Sequence, residues 1–307
     1  MMLKLQRSFL GLMLLIMSIV HAESIVIPKG EGKNCQRIVS VSPALSDMMS
    51  ELKLEDNIVG ATRYCQLPAS KTRAIVGGYF DLNFEKVVTL QPDIVFMEGN
   101  PNSPVAKRLN SLGIKSRVFS LDTLDEMEAA KQEIAHYCEG EVVIGGKTLR
   151  EQLRDYVPQH DSDLENGVAT TKPRVLILYN YGDNAEKILP NLAAGRSFHG
   201  ELLDALRMEN VYLGSLNAPE LTREAVSLLN PEWIFILNGM MIHDAPRDEL
   251  IVTQLHPKWE FLSEVEAVAK SQVYEVRGFY TQIPSVTAMR RLGAVFAGLV
   301  YLEDAVQ

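Results

Sequence analysis

The sequence predicts an α/β protein made of two lobes of parallel βα units, facing each other across a cleft and joined by a single long connecting helix. Three observations carry this. The chain has 307 residues, 47% hydrophobic and 22% charged, which is ordinary globular composition with room for about two domains. Short apolar strands alternate with amphipathic helical stretches, the pattern of βα units on a parallel sheet. And the pattern occurs twice. Asn83-Phe84-Glu85 leads to Gln91-Pro92-Asp93-Ile94-Val95, and Thr222-Arg223-Glu224 leads to Asn230-Pro231-Glu232-Trp233-Ile234, 139 positions later. Arg37-Ile38-Val39-Ser40-Val41 is matched by Arg174-Val175-Leu176-Ile177-Leu178 at an offset of 137.

Residues 1–22 read as a secretory signal peptide. Lys4 and Arg7 form a positive start, residues 9–20 are apolar except for Gly11 and Ser18, and Ala22 ends a small-residue cleavage site. The apolar run is shorter than the roughly 20 residues a membrane-spanning helix needs, and Arg290 and Arg291 interrupt the later apolar stretch. This predicts a soluble, exported protein. Net charge is -9 for the whole chain, and removing 1–22 takes away only the two basic residues named. An acidic chain is a poor match for a nucleic-acid backbone, and none is expected as a partner.

The N-terminal lobe is read over 23–140, with strands near 37–41, 58–62, 94–97 and 116–120 and helices near 44–53, 84–90, 102–112 and 123–138. A connecting helix and loop are read over 141–172. Leu149, Leu153 and Tyr156 fall at helical spacing there, although Gly145-Gly146 weakens the first turns. The C-terminal lobe is read over 173–307, with strands near 174–179, 211–213, 233–237 and 273–276.

Parallel sheets bind ligands beyond the C-terminal ends of their strands. The segments at those ends carry Arg63, Tyr64, Tyr79, Tyr179, Arg196, Arg277 and Tyr280. Arginine offers a fork of donors suited to carboxylate or hydroxamate oxygens, and tyrosine offers an apolar face with a polar tip. These seven are the candidate ligand-binding residues for one partly apolar, partly anionic ligand. No catalytic residues and no metal-ligand set stand out. Gly146-Lys147-Thr148 echoes a phosphate-binding loop but lacks its first glycine and a preceding strand. Of the five histidines beyond residue 22, only His136 is read on a helix, and His199 is read among surface or loop positions.

Export permits a disulfide, and there are three cysteines, Cys35, Cys65 and Cys138. Cys35 precedes the first strand and Cys138 ends a helix that returns antiparallel to its strand. Both therefore fall at the end of the sheet away from the cleft, while Cys65 follows a strand at the cleft end. A strand of five residues spans about 17 Å, and a bridge needs Cα atoms within about 7 Å. Cys35 with Cys138 is the predicted pair.

These motifs, with Val59-Gly60-Ala61-Thr62-Arg63-Tyr64, Val76-Gly77-Gly78 and Ala193-Ala194-Gly195-Arg196-Ser197-Phe198, resemble the periplasmic substrate-binding proteins with a rigid helical backbone. That family serves ABC importers of cobalamin, ferric siderophores and haem. The resemblance runs from about residue 37 to 303, and around residues 64–68 it is nearest the cobalamin binders. It implies a monomer without a cofactor of its own that captures a metal chelate (corrinoid, ferric siderophore or haem) and delivers it to permease subunits in the inner membrane. It implies aromatic ligand contacts at Tyr64, Tyr79 and Tyr179, while other aromatic positions of the corrinoid binders fall on Glu98 and Ala218. It places Glu85 and Glu224 as permease-docking acids. The residues alone leave a second reading of both glutamates open, since a carboxylate in the first turn of a helix is favoured by the helix dipole by about 0.3–1 kcal/mol. The resemblance also implies little lobe movement, because a connecting helix resists bending. An enzyme or a sensor subunit on the same two-lobed fold is the alternative class.

Overall fold

The computed structural model describes residues 25–27, 33–67, 73–78, 80–139, 142–144, 146–158, 171–180, 191–192, 197–214, 220–239, 249–255 and 262–302. The signal-peptide reading, Tyr79 and Arg196 lie outside them.

The first lobe holds β2 (Ile38–Ser40), β3 (Ile58–Ala61), β4 (Ala74–Ile75), β5 (Ile94–Glu98) and β6 (Ser116–Phe119) in one sheet, ordered β4-β3-β2-β5-β6 and parallel throughout. Its helices are α1 (Pro43–Glu51), α2 (Phe84–Thr89), α3 (Pro104–Ser111) and α4 (Leu124–Cys138). Each starts with a side-chain cap, from Ser42, Asn83, Ser103 and Thr123, which satisfies an otherwise orphaned amide. Cys35 and Cys138 are joined by a disulfide with Cα atoms 5.2 Å apart, and Cys65 is a free thiol. The bridge ties the entry to β2 to the end of α4.

The second lobe holds β8 (Arg174–Asn180), β10 (Glu209–Asn210), β11 (Trp233–Asn238) and β13 (Val273–Arg277) as parallel strands, ordered β10-β8-β11-β13. Strands β12 (Ile251–Gln254) and β9 (Asn191–Leu192) add antiparallel edges to β13 and β8. Its helices are α6 (Phe198–Ala205), α7 (Arg223–Leu229), α8 (Glu266–Ala269) and α9 (Val286–Ala297). Among the described residues, no helix is long and apolar enough to cross a membrane.

The sequence repeat has a physical basis. Arg37, at the mouth of β2, donates from its guanidinium to the carbonyls of Leu90 and Gln91 beyond α2, and its amide donates to Asp93. Arg174, at the start of β8, donates to the carbonyls of Leu229 and Asn230 at the end of α7, and its amide donates to Glu232. Gln91 and Asn230 both take positive φ, 45° and 40°, before the proline that starts the next strand. An arginine thus caps the orphan carbonyls of a short helix in each lobe.

The connector differs from its sequence reading. Residues 142–156 are not one long helix. Val142–Ile144 is a strand, β7, paired antiparallel with β1 (Ile25–Ile27), and only α5 (Leu149–Arg154) is helical. Three consecutive β-branched residues favour a strand. The Gly-Gly step favours a break, and the capping box of Thr148 with Glu151 starts the helix afresh.

The lobes are held instead through packed helices. One apolar core contains Leu45, Met48 and Met49 of α1, Met127 and Ile134 of α4, Leu153 of α5, Leu202 of α6, and Met289, Leu292 and Phe296 of α9. Polar contacts lace the same layer. Buried Asp47 on α1 accepts from the Tyr280 hydroxyl at 2.9 Å and from Ser285 Oγ at 2.7 Å. Glu51 accepts from Lys131, Thr287 and Arg290. Glu201 on α6 accepts from the Leu124 amide that opens α4 and from Arg150 on α5.

Candidate functional site

Strand order reverses between β2 and β5 in the first lobe and between β8 and β11 in the second, and open α/β sheets bind ligands outside such switch points. In the first lobe the switch point is spanned by a hydrogen bond. Ser42, just beyond β2, donates from Oγ to Glu98 Oε2 at the end of β5, 2.8 Å away. Burial pushes the Glu98 carboxyl above its usual range. The Ser42 bond opposes the shift, and nearby Asp122 adds to it.

Beside it, Arg63 and Tyr64 follow β3. Arg63 Nη2 donates to Asp81 Oδ2 at 2.5 Å, and its guanidinium lies 5.6 Å from the Tyr64 ring centroid. Asp81 is fixed from its other oxygen by the Gly78 amide at 2.8 Å. Gly77 and Gly78 make this turn possible. Gly77 has φ of +104°, and a Cβ on it would lie 2.3 Å from the Asp81 carbonyl oxygen, so no other residue fits without movement. The Arg63 hydrogen bond holds the Asp81 carboxyl below its usual range. Arg63, Tyr64 and Asp81 all remain half exposed, and neighbouring Phe80 is almost wholly exposed.

In the second lobe, Glu275 is buried between two neighbours. It accepts from Asn238 Nδ2 at 3.1 Å and pairs with Arg277 Nε at 2.9 Å. This leaves Arg277 half exposed at the end of β13, with a counter-charge below it.

Two of the expected ligand residues are buried. Tyr179 is turned inward, and its hydroxyl meets His199 Nδ1 at 2.6 Å. Tyr280 is buried, and its hydroxyl is the one that reaches Asp47. Both stand where expected along the chain, but the side chains face the core. His199 is likewise no surface residue. It is completely buried on α6, with Nε2 2.9 Å from the Thr281 carbonyl. A carbonyl only accepts, so Nε2 carries the proton and Nδ1 accepts from Tyr179.

The sequence reading passed over Asp47, Asp81, Asn238 and Glu275. A signal existed for Asp47 and Glu275, each a lone acid inside an apolar run (Leu45 to Met49, Val273 to Val276). A buried acid of this kind needs specific partners. Among the described residues, no three His, Cys, Asp or Glu side chains gather into a metal-holding group.

Desolvation pushes the His199 pKa down to about 3, against 6.5 for a free imidazole. Above pH 6.5 both folded and unfolded chains are neutral there, and the histidine adds no pH dependence. Below it the unfolded chain takes up a proton that the folded chain refuses, so stability falls. The slope is about 1.4 kcal/mol per pH unit, continuing towards pH 3. Urea midpoints of the wild type and His199→Gln are expected to diverge in slope between pH 6 and 4, the wild type losing more. Parallel curves would reject the buried neutral ring.

Comparison with known proteins agrees with this layout. The family profile Periplasmic binding protein matches residues 38–144. A vitamin B12-binding protein of Vibrio cholerae serotype O1 is 26% identical over 274 residues, covering 88% of this chain and 90% of that one. The solved periplasmic vitamin B12-binding protein BtuF of Vibrio cholerae superposes with a TM-score of 0.62 at 20% identity, covering 86% of this chain and 97% of that one. A periplasmic haem-binding protein from Pseudomonas aeruginosa gives 0.64 at 19% identity, covering 87% and 93%. The profile match over 38–144 and the same fold across both lobes make the chain similar to the periplasmic binding proteins.

Proposed function

We propose that this chain is the solute-binding component of an ABC importer, exported by cleavage after Ala22, and that it captures a metal chelate without transforming it. The observation that carries the reading is the pair of switch points, each flanked by a half-exposed arginine set on a buttressing acid. Arg63 rests on Asp81, and Arg277 rests on Glu275. A neutralising partner already in place lets a guanidinium be covered by ligand without leaving a lone buried charge, while its remaining donors face anionic or amide oxygens. Tyr64, stacked with Arg63, supplies the apolar face. Tyr79 and Arg196 belong to the same proposed site by their place in the sequence.

A corrinoid is the first ligand in this reading, because relatives aligned over most of the chain are vitamin B12-binding proteins. Haem is the second, favoured by the structural likeness to haem-binding proteins, with ferric siderophores of the same chemical class. The protein works as a monomer and meets permease subunits in the inner membrane through Glu85 and Glu224. Hydrogen bonding to its own amide and to Thr222 holds the Glu224 carboxyl below the usual range, so it stays charged.

Calorimetric titration of the purified protein with cyanocobalamin, haemin and ferrichrome tests this. One of them should bind with Kd below about 1 µM, and Arg63→Ala should weaken it by about tenfold, the loss of one charge-assisted bond. If none binds tighter than about 100 µM, the chelate reading falls.

A further inference from the structure

Leu228 is 86% exposed, although it sits on a regular helix. It lies four residues after Glu224 on α7, so the two side chains share one face, a turn apart. The opposite face is fully committed, with Val226 buried in the lobe core. The first lobe repeats the arrangement in weaker form. On α2, Val87 is buried and Val88, three residues after Glu85, is 45% exposed. The next position, Thr89, is polar and turns its hydroxyl back to the Glu85 carbonyl at 2.9 Å. Glu224 is held by hydrogen bonds to its own amide and to Thr222, with Arg223 nearby.

We propose that Leu228 and, to a smaller extent, Val88 are apolar contacts of the permease-docking surface, each lying beside its lobe's docking acid. The inference rests on the docking reading of Glu85 and Glu224 and extends it. The occupant is a protein surface with two basic pockets, each bordered on one side by apolar side chains. Two features argue for that partner. Two acids on matching helices, Glu224 held in its charged form, call for cationic complements. And the apolar residues stand on the same two helices, each tied to its sheet by an arginine, so acid and apolar group are presented in one fixed local frame. A charged contact flanked by excluded water is stronger than the same contact in open solvent. The lobes differ in this apolar contribution, the second presenting much the larger side chain.

The test uses the importer's permease subunits in nanodiscs and the full chain immobilised for interferometry, at 50 mM and 500 mM NaCl. Leu228→Gln should weaken binding about tenfold at both salt concentrations, and Val88→Gln about twofold, as loss of buried apolar area predicts. Glu85→Ala/Glu224→Ala should weaken binding strongly at 50 mM and much less at 500 mM, since salt screens charges and not apolar contacts. Both helix-surface residues are exposed, so folding is unaffected, and circular dichroism checks this. Wild-type binding by Leu228→Gln overturns the proposal even where the glutamate variant fails to bind. An effect of Leu228→Gln with none from the glutamates retains the apolar contact and removes the charged one. If sedimentation instead shows that Leu228→Gln dissolves a dimer of this chain, the face belongs to a second copy and the proposal is overturned.

Discussion

Replacing Glu85 and Glu224 together by alanine is expected to reduce chelate uptake into permease-containing proteoliposomes by roughly a hundredfold, while ligand affinity measured by calorimetry stays within twofold of wild type. Two charge-assisted contacts, each contributing about 1.5 kcal/mol or more, account for that factor. Binding of the chelate is expected to be spared because neither acid is a member of the Arg63–Asp81 or Arg277–Glu275 pair. Folding is spared because the helices do not depend on them. Asn83 and Thr222 cap their starts, Arg37 and Arg174 hold their ends, and Val87 and Val226 fill the core beneath. Each single variant should fall between the wild type and the double. Uptake by the double variant within twofold of wild type would leave the glutamates with only their helix-dipole role.

Asp47→Ala is expected to destabilise the protein by about 3–5 kcal/mol in urea unfolding, the scale for breaking a buried polar network by removing one partner. Asp47 is 2% exposed, and its two oxygens accept from the Tyr280 hydroxyl and Ser285 Oγ of the second lobe. Alanine removes the carboxylate that the Tyr280 hydroxyl reaches in the core and opens a gap. Ser285 also loses its partner, although its oxygen still caps α9 by accepting from the Ala288 amide. Tyr280→Phe removes donor and demand from one side only and should cost about 1–2 kcal/mol. Combined with Asp47→Ala it should add little, because the two act through one contact. A loss below about 1 kcal/mol for Asp47→Ala would mean that the interface between lobes is held by its apolar layer alone.

Much of the fold was legible because its signals are local. The strand at Arg37 and the strand at Arg174 announce themselves by apolar runs. The turns at Pro92 and Pro231 follow from proline's fixed φ and missing donor. What escaped depends on distant partners or on direction. The strand Val142–Ile144 exists as a strand through pairing with Ile25–Ile27, more than a hundred residues away. The antiparallel edge at Ile251–Gln254 likewise takes its identity from Val273–Arg277. Tyr179 and Tyr280 were found at the ends of the right elements, but position along a strand does not say which face a side chain takes, and a one-residue phase reverses it. His199 was unreadable for a related reason. A histidine's burial is decided by whether its two nitrogens find partners, and Tyr179 and Thr281 are contributed from other elements.

The arginine-capped helices bear on symmetry. Two copies of one mounting, in two halves of one chain, make a natural match for a partner with two equivalent pockets, as a pair of identical subunits would provide. Such a partner could receive the chain in either of two poses related by a half-turn. The side chains break that degeneracy. Leu228 and Val88 differ in size and exposure, and Glu232 replaces Asp93 beneath its arginine. Inequivalent halves on an equivalent frame mean that a partner with even slight asymmetry of its own sorts the two poses.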